Sequence, residues 1–129
     1  MPVRSVIYKE QRLVVTMEEG RVTFDDMLAN LDRIASDPDF DPEFNQLSDA
    51  SLATDTDLSA ENIRRLYQRP VFSATSRRAV IAPTDFAYGM ARMIQVYVES
   101  SRAAVRVEVF RDRAAALKWL GVSDDFPTV

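Results

Sequence analysis

Residues 77–98 constrain what this chain can fold into more than any other stretch. They read Arg77-Arg-Ala-Val-Ile-Ala-Pro-Thr-Asp-Phe-Ala-Tyr-Gly-Met-Ala-Arg-Met-Ile-Gln-Val-Tyr-Val98. Ala79–Ala82 is a short apolar run without alternation, the pattern of a strand covered on both faces, as in α/β proteins. Pro83 has no N–H to add to a ladder and stops it. Thr84 or Asp85 then supplies a side-chain oxygen to cap a long helix. On a helical wheel Phe86, Met90, Met93, Ile94 and Tyr97 form the core stripe, with Ala87 and Ala91 at its edge. Asp85, Tyr88, Arg92, Gln95 and Glu99 fall on the opposite face, and Gly89 and Val96 lie at its flank. A glycine inside a helix costs about 1 kcal/mol against alanine. Gly89 is therefore expected to admit a close approach, by packing within the fold or by a ligand.

The rest of the chain repeats this strand-then-helix alternation. Val3–Lys9 and Leu13–Glu18 are β-rich and separated by Glu10-Gln11-Arg12, a hairpin pattern. Gly20 punctuates, and Thr23 with Asp26 has the spacing of a capping box. Phe24, Met27, Leu28, Leu31, Ile34 and Ala35 then make one apolar helical stripe ending near Ser36. The acidic connection Asp37-Pro-Asp-Phe-Asp-Pro-Glu43 favours extended backbone at its two X-Pro steps. Phe40 and Phe44 are expected to pin it, and it lacks the glycine-containing twelve-residue loop of a calcium site.

Phe44–Ala53 reads as a strand and Thr54-Asp-Thr-Asp57 as a polar turn. Ser59 then caps a helix carrying Ile63, Leu66 and Tyr67 inward and Arg64, Arg65, Gln68 and Arg69 outward. Pro70 ends or kinks it, and residues 71–76 connect to the opening strand. Val105–Phe110 is the last strand. Asp112 caps a helix over Arg113–Leu120, with Gly121 placed for a left-handed C-terminus. Asp124–Val129 reads as a tail. The order β-β-α-β-α-β-α-β-α specifies a single α/β domain over residues 1–129, with a mostly parallel five-stranded sheet, an N-terminal antiparallel hairpin and flanking helices.

Composition excludes much chemistry. The 129 residues include no cysteine and no histidine. This removes disulfides, thiolate nucleophiles, iron–sulfur clusters, histidine-ligated zinc and any Ser-His-Asp arrangement. Carboxylates, Lys, Tyr, Ser and Thr remain, and no metal ligand set or cofactor motif is found. Asp55 with Asp57 or Asp85 is the acid pair an enzyme would use, although acidic helix capping accounts for these residues better.

The net charge of −4 gives no general attraction to nucleic acid. Its distribution is more telling. Between Asp25 and Glu61 lie eleven acidic residues and one basic residue, Arg33; between Asn62 and Thr84 lie five arginines and no acid. Opposite-signed surfaces of this kind steer partners together. No apolar run reaches the ~20 residues of a membrane span. Met1-Pro-Val-Arg-Ser lacks a signal-peptide pattern, so a cytoplasmic protein is expected.

Three stretches carry a family resemblance. They are Asp37-Pro-Asp-Phe-Asp-Pro with Leu47-Ser-Asp-Ala-Ser51; Ala79-Val-Ile-Ala-Pro83 with Tyr88-Gly-Met-Ala-Arg-Met93; and Val109-Phe-Arg-Asp112 leading to Ala116-Leu-Lys-Trp-Leu-Gly121. In this order the chain resembles the STAS domain (sulphate transporter and anti-sigma-factor antagonist), or SpoIIAA-like fold. It is most similar to the stand-alone bacterial STAS/SEC14-like proteins.

The resemblance implies a regulatory or protein-interaction module that is not an enzyme and self-associates, for instance as a dimer. It also implies a phospho-switch. Asp49-Ala-Ser51 matches the Asp-Leu-Ser-Gly strand end, and Asp57-Leu-Ser59 falls where the phosphorylated serine is carried. Ser59 takes that position, but Leu58 replaces one serine and no glycine follows. The alternative is a binder of a lipid or small anion, with its site at the carboxyl ends of the strands or at a subunit interface. Tyr88, Gly89, Arg92 and Val96, with Arg64, Arg65 or Arg69 meeting an anion, are the candidate surface for ligand or partner.

Overall fold

The computed structural model describes residues 1–100, 106–123 and 126. Its elements are β1 (Val3–Tyr8), β2 (Leu13–Val22), α1 (Phe24–Ser36), β3 (Asn45–Thr56), α2 (Ala60–Tyr67), β4 (Arg77–Ile81), α3 (Asp85–Ser100), β5 (Arg106–Phe110) and α4 (Arg113–Leu120). The element order is the expected one. Strands stand side by side in chain order, β1–β2–β3–β4–β5, with β1 antiparallel to β2 and every other pair parallel.

This unbroken order decides where the helices go. Crossovers of one hand, all stepping in the same direction across a sheet, place their helices on the same face. Accordingly α1, α2 and α3 share one face, and only α4 covers the other. Under α4 the packing is apolar: Leu13, Val15, Leu47, Ala79 and Ile81 meet Ala116, Leu117, Leu120 and Phe126. Phe126 belongs to this core, its ring edge-on to Tyr8 at 4.8 Å, rather than to a loose tail. Residues 124, 125 and 127–129 of the expected tail, and Val105 of the expected last strand, lie outside the described residues.

The caps follow the local chemistry. Thr23 and Asp26 form the reciprocal capping box at α1. The α3 cap is Thr84, whose hydroxyl accepts from the Ala87 N–H at 3.1 Å. Asp112 caps α4, and Gly121 ends it at φ 76°.

Four details differ from the sequence reading. The second strand runs past Glu18 to Val22 because Gly20, at φ 68°, sits in a bulge within it. The extended strand holds residues 54–56 in strand conformation through the pairs Arg21↔Asp55 and Val22↔Thr56, so the polar stretch there is strand, not turn. The buried stripe of α3 is rotated: Ala87, Met90, Ala91, Gln95 and Val98 face inward, whereas Phe86 and Met93 are 39% and 46% exposed. Small side chains let the helix lie close to the sheet, and the Gln95 amide donates to the Val107 carbonyl at 2.9 Å. Finally, a Cβ built on Gly89 meets nothing within 4 Å, so no close approach within the fold calls for this glycine.

Candidate functional site

Pleating sends alternate strand residues to opposite faces. Thr16 and Glu18 of β2, Gln46 and Ser48 of β3 and Arg78 of β4 therefore point toward α1–α3, while Leu13, Val15, Leu47 and Ala79 point toward α4. Polar side chains thus lie on a face that helices cover. They form the floor of a cavity of about 310 Å³, the lower end of the range for small-molecule sites. Its walls are Met27, Asn30 and Leu31 of α1, Met90, Ala91 and Ile94 of α3, and residues 66–74 at the end of α2 and beyond. A second depression is an open groove flanked by the charged residues Arg77, Glu99, Arg106 and Glu108.

The floor is a continuous hydrogen-bonded chain across four strands. The Ser5 hydroxyl donates to Asn30 Oδ1 at 2.8 Å and lies 2.7 Å from the Thr16 hydroxyl. The Gln46 amide donates to Thr16 Oγ1 at 2.9 Å, and Arg78 Nε donates to Gln46 Oε1 at 2.9 Å. Thr16, Asn30 and Gln46 are buried, and partnering of this kind is what makes buried polar groups tolerable. At the chain's end the Arg78 guanidinium carbon sits 5.1 Å from the Tyr67 ring centre and 4.6 Å from that of Phe72. Arg78 forms no ion pair among the described residues, so its two terminal nitrogens are uncommitted.

Glu18 lines the same cavity and is 6% exposed. Its carboxyl has no hydrogen-bond or ion-pair partner among the described residues. Burial, reinforced by the charge of Asp49, raises its pKa from 4.5 to about 7. An acid that titrates near neutrality in a cavity is a marker of functional sites.

The residues singled out from sequence are dispersed. Asp49 accepts from the Ser51 backbone and hydroxyl, Asp57 accepts from the Phe24 N–H at 2.8 Å, and Ser59 accepts from the Asn62 N–H at 3.2 Å as the α2 cap. Arg64 is tied to Glu61, Arg65 lies over the Phe24 ring and Arg69 pairs with Asp32. Arg69 also reaches the cavity wall, alone among the candidates. Tyr88 is stacked by Arg111 at 4.1 Å, and the Arg92 guanidinium donates to Gln95. Val96 is 54% exposed. The acids weighed for catalysis are engaged as well. Asp55 pairs with Arg21, which holds its carboxyl below the usual range, and Asp85 pairs with Arg111.

Sequence reasoning missed Thr16, Glu18, Gln46, Ser48 and Arg78. A signal for them existed. In a sheet covered on both faces, polar residues alternating along inner strands are buried, and buried polar rows form sites.

No protein-family model matches this sequence, and no curated protein sequence does. Among solved structures, the chain is similar to an uncharacterised protein of the DUF3478 family from Shewanella loihica PV-4, described as having a SpoIIAA-like fold. The two superpose with a TM-score of 0.59 at 18% identity, over 92% of this chain and 91% of the other. The fold of this chain is SpoIIAA-like, as the resemblance implied. No helix among the described residues is long and apolar enough to cross a membrane.

Proposed function

We propose that this SpoIIAA-like domain is a non-catalytic binding module that holds a small, mostly apolar molecule in the cavity under α1–α3. The observation that carries this reading is the cavity itself: apolar walls over a floor of ordered polar groups, with Arg78 and Glu18 among its lining residues. A few convergent polar groups in an apolar pocket are what small-molecule sites have in common. The site uses the amino-terminal and middle parts of β3 and β4 rather than the strand carboxyl ends. NMR titration with 1-octanol, an uncharged apolar probe, tests the reading. Shifts concentrated at Leu31, Leu66, Val80, Met90 and Ile94 are expected, and Val80→Phe, which fills the space, abolishes them. Uniform or absent shifts in the wild-type protein sink the proposal.

A second reading rests on the outer face of α3. Phe86, Met93 and Val96 are exposed there, and Gly89 leaves open space between them. This apolar stripe suits self-association of a regulatory, protein-interaction module of STAS type. Sedimentation across protein concentration checks it: a dimer that Met93→Glu dissociates supports the reading, and a monomer at every concentration and salt level overturns it.

A further inference from the structure

The cavity contains one cation whose charge is not balanced by any acid among the described residues, and its position is fixed before any ligand arrives. Arg78 Nε is held by Gln46, itself hydrogen-bonded to Thr16, and the guanidinium lies against the Tyr67 and Phe72 rings. These contacts leave both terminal nitrogens free to donate side by side. That is the planar fork which matches a carboxylate with two parallel hydrogen bonds. The three cavity-facing charges also set the ligand's charge. Arg69 is neutralised by Asp32, and Glu18 shares the space with no partner among the described residues. With Glu18 holding its proton, the single unpaired cation balances a monoanion, whereas a phosphate dianion would bring a second charge with no counterpart among the described residues. Volume sets the size: about 310 Å³ equals that of ~10 waters, at ~30 Å³ each.

We propose that the cavity binds a small monocarboxylate of about ten non-hydrogen atoms, its carboxylate forked on Arg78 and its apolar tail among Leu66, Met90 and Ile94. This proposal rests on the cavity-binding reading and adds the class of ligand and the residue that selects it.

The test compares octanoate, 1-octanol and octyl phosphate on the wild-type protein, Arg78→Met and Arg78→Lys, by calorimetry with NMR to locate binding. Methionine keeps an apolar stem against the two rings; lysine keeps the charge without the fork. Octanoate is expected to bind the wild type at least ~10-fold more tightly than octanol, the scale of a charge-assisted hydrogen bond. Arg78→Met should erase that difference. Arg78→Lys should reduce it severalfold, and this variant decides the matter if the methionine one does not fold. Equal binding of octanoate and octanol by the wild type, or an unchanged preference in the Arg78 variants, overturns the role of Arg78 while the cavity reading stands. Octyl phosphate binding more tightly than octanoate overturns the monoanion class. Binding of none of the three at the cavity removes both proposals together.

Discussion

The two faces of this sheet are built from the same strands, yet one is an apolar core and the other adds a polar-floored cavity to its apolar packing. Beneath α4, Leu13, Val15, Leu47, Ala79 and Ile81 meet Ala116, Leu117 and Leu120, and every side chain is apolar. One residue along each strand, Thr16, Gln46, Ser48 and Arg78 turn the other way and meet three helices that do not close over them. The contrast separates two tasks. A single short helix against an apolar face stabilises the fold. The three-helix face has apolar clusters of its own, around Val14, Ile34 and Phe44 and around Val22, Ala82 and Ala87, and beside them it opens over an ordered polar floor. Close-packed interiors hold few voids larger than a water, so a cavity of about 310 Å³ over a polar floor points to use rather than to stability.

The comparison can be broken by experiments on either side. The largest effect is expected from Leu117→Ala under α4, where a fully buried leucine in a tight core should cost about 2–5 kcal/mol by denaturant unfolding. A loss below about 1 kcal/mol would mean that this face is not the stabilising one. Next comes Glu18. Its folded pKa, about 7, lies above the 4.5 of an ordinary glutamate, so the folded state holds the proton more tightly. Below pH ~4.5 both states are protonated and nothing is lost. As pH rises from ~4.5 to ~7 the unfolded chain ionises first, and stability should fall by about 3 kcal/mol before levelling off. Glu18→Gln should remove that component of the pH dependence and be the more stable protein at pH 8; an unchanged pH profile would show that Glu18 is not a buried acid.

Matched overpacking gives a sharper contrast. Ile81→Phe, under α4, should cost about 1–3 kcal/mol, whereas Val80→Phe, which enters the cavity, should cost less than about 1 kcal/mol. Equal costs would show that the two faces are packed alike. The smallest effects are expected at the caps. Ser59→Ala on α2 and Asp112→Ala on α4 should each cost ~1 kcal/mol, since a cap satisfies its own helix whichever face that helix covers.

Most of the architecture was legible because its signals are local. Thr23 with Asp26, Ser59, Asp112 and Gly121 mark helix ends by chemistry that acts within one turn, and Ala79–Ala82 with Pro83 marks a buried strand and its stop. Errors arose where pairing overrode local preference. Residues 54–56 look like a turn but are held straight by Arg21 and Val22 across the bulge at Gly20. On α3 the wheel favoured the large side chains, but proximity to the sheet selected Ala87 and Ala91, turning Phe86 and Met93 outward.

The site was far less legible. Sequence reasoning looked for charge at helix ends and found Ser59, Asp57 and the arginines of α2, most of which are occupied with neighbours. The sequence by itself determined the elements, their order and the absence of thiol and imidazole chemistry, because residue types and short-range spacing suffice for these. Only the tertiary structure decided which strand face the helices cover, that Thr16, Gln46 and Arg78 join into one chain across neighbouring strands, and that Glu18 is buried with no partner among the described residues. These facts depend on register and crossover direction, which bring together residues some thirty positions apart.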